Sequence, residues 1–312
     1  MQSVLIVGLG IGELYKKILT KDSNSYVYKV TTIDNDPKKK ADFLDLDSCL
    51  KSNKRFDMAI ICTPNHVHEY YVDRLVDICR VVLVEKPGLK DSKKWAEFFA
   101  RKQNLFIVKN NMFRKNIDDI AEYILNNRKN IDSVNINWIC KDRVPNPGSW
   151  FTNKKLAWGG VSRDLVPHLL SMYYEIFREE DYPQHIDKEQ RHTLKDITSS
   201  AYGKVNADGI YDVDDYCKLV YSPEFFKLEL IADWKNDLLD TTKHPDGLNI
   251  GVSIKLKNDA AIINYDFGLC PESVYLRMLN FYLDMEDENV HEHYDMDMWI
   301  LKNIENIDAN AN

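Results

Sequence analysis

Five short apolar runs open the chain, VLIVG, YKVTTID, DMAIICTP, RVVLVEKP and NLFIVKN, and longer segments of mixed polarity separate them. Runs apolar at both odd and even positions belong to strands covered on both faces. The mixed segments repeat apolar residues at helical spacing, as at Tyr71, Leu75 and Val76 between His68 and Cys79, and in WAEFFA between Ser92 and Arg101. Strand and helix in alternation predict a doubly wound parallel α/β sheet. From about residue 132 the rhythm changes to longer alternating runs, SVNINWIC, YCKLVYS, FKLELIADW, NIGVSIKLK and AAIINYDFG. With helical stretches near 160–177, 271–285 and 294–306, these predict an α+β domain on a largely antiparallel sheet. The pattern divides the chain into 1–115 and 116–312. The polar stretch 179–194, EEDYPQHIDKEQRHTL, is expected as a surface loop.

Composition narrows the function classes. A chain of 312 residues, 44% hydrophobic, is long enough for two domains with a core each. The net charge is −8 and the one basic run is Lys38–Lys40, so nucleic acid is not the expected partner. Six cysteines, at 49, 62, 79, 140, 217 and 270, form no C-x-x-C pair, which fits neither a disulfide framework nor structural zinc and points to a reducing cytoplasm. No apolar stretch approaches 18 residues and no leader precedes the first strand, so neither membrane insertion nor export is expected.

The chemistry begins at VLIVGLGIGELY, where a strand runs into Gly8, Gly10 and Gly12 and then a helix. Backbone N–H groups at such a turn, with the positive end of a helix, receive a diphosphate. The spacing is G-x-G-x-G, one residue shorter than the usual fingerprint. Glu13 stands where the third glycine falls, so it must face solvent, and Gly12 takes over the packing role. Asp34 ends the second strand, where a carboxylate accepts from adenosine ribose hydroxyls and repels a 2′-phosphate, favouring NAD over NADP. A helix cap or turn is the other use for an aspartate in DNDPKKK. CTPNHVH, taken to follow a fourth strand, and EKPG, taken to follow a fifth, place Thr63, Asn65, Glu85 and Lys86 at strand ends facing that cofactor.

TPNHVH, EKP and GGVSRDLVPH, in this order behind the glycine turn, resemble the glucose-fructose oxidoreductase, inositol dehydrogenase and MocA (Gfo/Idh/MocA) family over nearly the whole chain. The resemblance implies a Rossmann domain, an NAD(P)-dependent oxidoreductase and a sugar, sugar derivative or cyclitol as substrate. It implies a homodimer or homotetramer joined through the second domain. It makes Lys86, Asp164 and His168 the catalytic set and adds His68 to the cofactor-binding residues. Tyr15 stands where many members have histidine and Val166 where glycine is frequent; neither is expected to touch the chemistry. VKNNMFRKN matches the family's Asn and Arg-Phe pattern only loosely at Asn111 and Arg114. The alternatives are a non-catalytic ligand sensor on the same fold and a reductase related to biliverdin reductase.

Hydride leaves a carbinol carbon more readily as the hydroxyl proton is taken, which needs a base titrating near working pH. His168 suits that role, and an ammonium group such as Lys86 stabilises the developing alkoxide. Asp164, four positions before His168, falls on the same helical face and orients substrate hydroxyls or tunes Lys86. Pro167 marks either a kink or a first turn beginning near Asp164. Arg143, Trp150 and Trp158 precede this segment and offer a substrate platform. No metal is expected: His291, His293 and Asp295 in ENVHEHYD read as a solvated loop between two helices.

Overall fold

The computed structural model describes residues 1–309 except 22–23, 25–26, 53–54, 178–187, 194–199, 201–202 and 259–260. Contacts divide the chain into two compact units, 1–110 with 271–302, and 111–270 with 303–312.

The first unit is built on five parallel strands: β1 (Gln2–Val7), β2 (Tyr28–Ile33), β3 (Phe56–Ile61), β4 (Cys79–Val84) and β5 (Leu105–Ile107). Their order is β2-β1-β3-β4-β5. Val4 to Val7 and Val82 to Val84 are at most 1% exposed, as a sheet sandwiched between helices requires. Helices α1 (Gly12–Leu19), α2 (Leu46–Ser52), α3 (His68–Leu75) and α4 (Ser92–Lys102) connect them. Because β2 and β3 flank β1 on opposite sides, successive connections diverge at its carboxyl end, the point where open α/β sheets take their ligands. The five strands match the five apolar runs, but the motifs follow strands one earlier than expected. CTPNHVH follows β3 and EKPG follows β4, since between β2 and α2 the chain makes only a single parallel bridge, Phe43 beside Ile33. The helix expected from His68 to Cys79 ends at Leu75, and Cys79 opens β4.

The second unit holds α5 (Ile117–Asn127), β6 (Ile131–Cys140), α6 (Lys154–Ala157), α7 (Val161–Asp164) and α8 (Val166–Phe177). Strands β7 (Lys188–Thr193), β8 (Asp214–Tyr221), β9 (Lys227–Asp233), β10 (Leu248–Leu256) and β11 (Ile262–Asp266) follow. The sheet order is β11-β10-β6-β9-β8-β7, antiparallel throughout except for the parallel pair β6 and β9. Alternation sets its faces. Leu228, Leu230 and Ala232 of β9 are buried while Lys227 is exposed and Glu229 and Ile231 are half-buried. Helix α8, buried on nearly every side, packs on β6 and β9, and α5 packs on α8. Part of the expected surface loop is therefore strand: 188–193 pairs with β8, and 179–187 and 194 lie outside the described residues.

Two C-terminal helices, α9 (Glu272–Asp284) and α10 (Asp287–Ala309), depart from the expected division at residue 115. Most of their length packs in the first unit: Tyr275 meets Tyr15 edge-on, Tyr282 lies on Phe106, and Tyr294 stacks on Phe99 at 4.0 Å. Helical periodicity shows which face of a helix is apolar but not which sheet it covers. The HEHYD segment is likewise a correction, for it lies inside α10 and not in a loop. His293 there is buried against Phe281 and Tyr282, and among the described residues no three His, Cys, Asp or Glu side chains are grouped to hold a metal ion.

Candidate functional site

At the carboxyl end of β1 the three glycines do three different jobs. Gly8 has a φ of +90° and lies so close to the Cys62 carbonyl that a Cβ would stand 2.8 Å from its oxygen. Gly12 is pressed against Ile6, where a Cβ would fall 2.9 Å from a side-chain carbon, so it performs the helix-packing role expected of it. Around Gly10 nothing lies within 4 Å of a built Cβ, which leaves the backbone open to close approach. Glu13 is exposed, as a carboxylate near a diphosphate site must be.

Asp34, half-buried at the end of β2, is held from both sides. Its Oδ2 accepts from the Leu9 amide at 2.6 Å and its Oδ1 from the Asp36 amide at 2.8 Å. The helix cap in this stretch is Asp36, which accepts from the Lys38 amide. Asp34 thus ties the glycine turn to the strand that would carry the adenosine ribose. On the other side of β1, the Thr63 hydroxyl is buried with no hydrogen-bond partner among the described residues, and Asn65 is buried one turn further on. An orphaned hydroxyl beside an open glycine backbone suits a polar ligand at this crest.

His68 is fully buried, with Nδ1 2.7 Å from the Gly88 carbonyl and Nε2 2.9 Å from the Thr63 carbonyl. Burial pushes its pKa below the usual imidazole value. The neutral ring has one N–H to donate to one of these carbonyls, and it lies lodged between the turns after β3 and β4. Glu85, next along the crest, is 8% exposed and accepts a 2.7 Å hydrogen bond from the Tyr15 hydroxyl. Tyr15 was expected to stay clear of the chemistry; it reaches the residue beside Lys86. Lys86 is half-buried at the end of β4, before a cis peptide bond to Pro87.

Asp164 and His168 belong to the second unit. They do not share one regular helix: α7 ends at Asp164, α8 starts at Val166, and the His168 amide bonds back to Leu165 at 3.0 Å. Pro167 lies in the first turn of α8, where its missing N–H costs no helix bond. Both side chains are placed by tryptophans that the sequence did not single out. Trp234, just after β9, donates its indole N–H to Asp164 Oδ2 at 3.0 Å, and Trp138 of β6 stacks under the His168 ring at 5.1 Å.

The glycine pair ahead of this segment has a structural reason. Gly160 lies against β8, and a Cβ on it would fall on the Asp214 carbonyl oxygen. The Asp214 carboxylate accepts from the Gly160 amide at 2.9 Å, the Ser162 amide at 2.8 Å and the Ser162 hydroxyl at 2.9 Å, capping α7. Only an acidic pair in YDVDD hinted at it.

Of the expected substrate platform, the half-buried Arg143 hydrogen-bonds its amide to the Trp234 carbonyl at 2.9 Å, beside the residue that holds Asp164. Trp158 closes α6 with a φ of 70°, and Trp150 stacks on Phe151 at 3.9 Å. Asn111 and Arg114 clamp a turn: Arg114 donates to Asn111 Oδ1 and to the carbonyls of Phe267 and Gly268 after β11.

Residues 3–110 match the profile of the Gfo/Idh/MocA oxidoreductase family, described by an NAD-binding Rossmann fold. A putative UDP-kanosamine synthase oxidoreductase subunit of Amycolatopsis mediterranei (strain S699) is 27% identical over 178 residues, 53% of this chain; the match spans 49%, about half, of that relative. GenD2 from gentamicin A biosynthesis, solved with NAD, is 18% identical, with 97% of this chain and 92% of that one covered at a TM-score of 0.70. A myo-inositol dehydrogenase of Corynebacterium glutamicum ATCC 13032 is 12% identical over 98% of this chain and 95% of its own, with a TM-score of 0.65. At those identities the two solved structures speak for the fold. Residues 3–110 thus carry the NAD-binding Rossmann domain of the Gfo/Idh/MocA oxidoreductase family, and the chain shares its fold along nearly its whole length with the two solved structures.

Proposed function

We propose that the protein is an NAD-dependent dehydrogenase or reductase acting on a hydroxyl or ketone of a sugar, sugar derivative or cyclitol. The observation that carries this reading is the glycine turn of the NAD-binding domain, open at Gly10 and closed by packing at Gly8 and Gly12, with Asp34 fixed beside it. The names of the relatives support the substrate class: one is tied to UDP-kanosamine, another is a dehydrogenase of myo-inositol. Gly8, Gly10, Gly12, Asp34, Thr63, Asn65 and Glu85 would hold the dinucleotide, with His68 as a brace. When bound, NAD accepts or supplies the hydride.

The residues of this chain manage the proton and the charge. His168, held on Trp138, takes the hydroxyl proton in oxidation and returns it in reduction. Lys86 stabilises the oxygen as it becomes negative. Asp164, fixed by Trp234, orients a neighbouring substrate hydroxyl, and Arg143, Trp150 and Trp158 bound the substrate. A reducing, cytoplasmic setting suits six free thiols. Association into a homodimer or homotetramer completes the reading.

The test is a panel of sugars and cyclitols assayed with NAD+ by the absorbance of the reduced cofactor. On any substrate turned over, Lys86→Ala and His168→Ala each lower kcat by about 10²-fold or more, the scale for positioned acid–base groups, with NADH affinity little changed. The two losses are not additive, because both groups act on one oxygen. Full activity in both variants defeats the mechanism. NADH binding with no turnover of any substrate points instead to a sensor.

A further inference from the structure

Tyr15 and Glu85 are 70 positions apart, yet the Tyr15 hydroxyl donates to Glu85 Oε1 at 2.7 Å in a fully buried setting. Tyr15 is on α1, three residues past Gly12, and Glu85 directly follows β4. The bond therefore links the helix behind the glycine turn to a strand end two places away in the sheet. Tyr275 packs edge-on against the phenol ring at 5.5 Å and fixes it from α9. Burial first, and the negative Glu85 next, push the phenol well above its ordinary pKa, so it remains a proton donor throughout the working range. A buried carboxylate with one oxygen held this way has its second oxygen oriented as well.

The sheet order decides which part of a dinucleotide meets Glu85. Asp34 ends β2 and Glu85 follows β4, three strand spacings or about 14 Å apart, with β1 and β3 between them. With the adenosine ribose at Asp34 and the diphosphate at the glycine turn, Glu85 falls on the nicotinamide riboside side. We propose that Tyr15 is a positioning residue for that half of the cofactor, its hydroxyl orienting the Glu85 carboxylate as an acceptor for the nicotinamide riboside. This rests on the reading that the crest binds NAD. It gives Tyr15 a task beside the shortened glycine turn: α1 is anchored to the strand that carries the reacting end.

The experiment measures NADH and ADP affinities by calorimetry for the full chain, Tyr15→Phe, Glu85→Gln and the double variant. ADP keeps the adenosine and diphosphate and lacks the nicotinamide riboside. Tyr15→Phe weakens NADH about tenfold, the scale of one charge-assisted hydrogen bond, and leaves ADP within about twofold. Glu85→Gln behaves alike, and the double variant is no weaker than the weaker single one. Unchanged NADH affinity in Tyr15→Phe overturns the proposal. An equal loss for NADH and ADP also overturns it, since Tyr15 would then only prop the glycine turn. Failure of the wider reading has a different signature: the parent chain binds neither NADH nor ADP, and the proposal falls with it.

Discussion

In the proposed reading, Asp34 is the side chain that chooses between two cofactors. Its carboxylate is fixed by the Leu9 and Asp36 amides, so it cannot swing away from a ligand at the end of β2. Ribose hydroxyls are donors for its remaining lone pairs, whereas a 2′-phosphate meets a charge of its own sign. At about 4 Å that repulsion is worth about 1–4 kcal/mol, depending on how much water intervenes. Calorimetry should give tighter binding of NADH than NADPH, and Asp34→Ala should narrow the ratio by about one decade or more. Equal or reversed affinities in the parent protein would sink this role for Asp34. The glycine motif was legible in the sequence because it depends on a local turn, and Asp34 because it ends an apolar run; its bond to Leu9 was not. The Trp234 bond to Asp164 and the Asp214 cap were not, because each joins segments some 50 to 70 positions apart.

Elements were read best where burial is two-sided. The five parallel strands stand out because each carries an apolar run that occupies both odd and even positions, while α7 and α8 look like one helix until the Leu165 break is seen. Helix α10 was misread in its first turns because its polar residues hide a buried one. His293 is buried beside Lys109 and hydrogen-bonded to the Tyr282 hydroxyl at 3.3 Å; burial, with the lysine's charge, pushes its pKa down to about 3. The neutral imidazole is the form that folds. Its contribution is present above about pH 6.5, the unfolded value, and is lost as pH falls toward 3, at about 1.4 kcal/mol per unit. Asp297 acts in the opposite sense: burial outweighs Lys109 and raises its carboxyl to about 6, so its contribution fades as pH rises from about 4 through 6. Replacing His293 with Phe should therefore flatten the acid side of a Tm profile between pH 6.5 and 4. An unaltered slope would show that the histidine is not the titrating group.

At the scale of the whole molecule, the second unit leaves one sheet face to be covered. Helices α5 and α8 lie on the side of Leu228, Leu230 and Ala232, and the opposite side carries Asn135, Lys218, Glu229, Ile231 and Ser253, half-buried and mixed in character. The proposed homo-oligomer uses this face, since a self-complementary patch closes most readily into a twofold pair. Light scattering at micromolar concentration should give two or four times the 36.4 kDa chain, and Ile231→Arg at the middle of the face should lower that mass. A mass near that of one chain for the parent protein would refute the association.

The packing of α9 and α10 in the first unit governs the order in which the molecule is completed. Lys109, 1% exposed, has Asp297 as its buried counter-ion, and the same carboxylate accepts from the Ile107 amide at 3.0 Å. A buried charge deprived of its partner costs about 3–5 kcal/mol. On the ribosome, the NAD-binding half therefore emerges with a lysine, Phe99 and Phe106 that still lack their α9 and α10 neighbours, and it waits for nearly two hundred further residues before its own core is closed. The cofactor domain, first in the sequence, is thus among the last parts of the protein to mature, and a nascent chain stopped before α10 has a nucleotide fold it cannot finish.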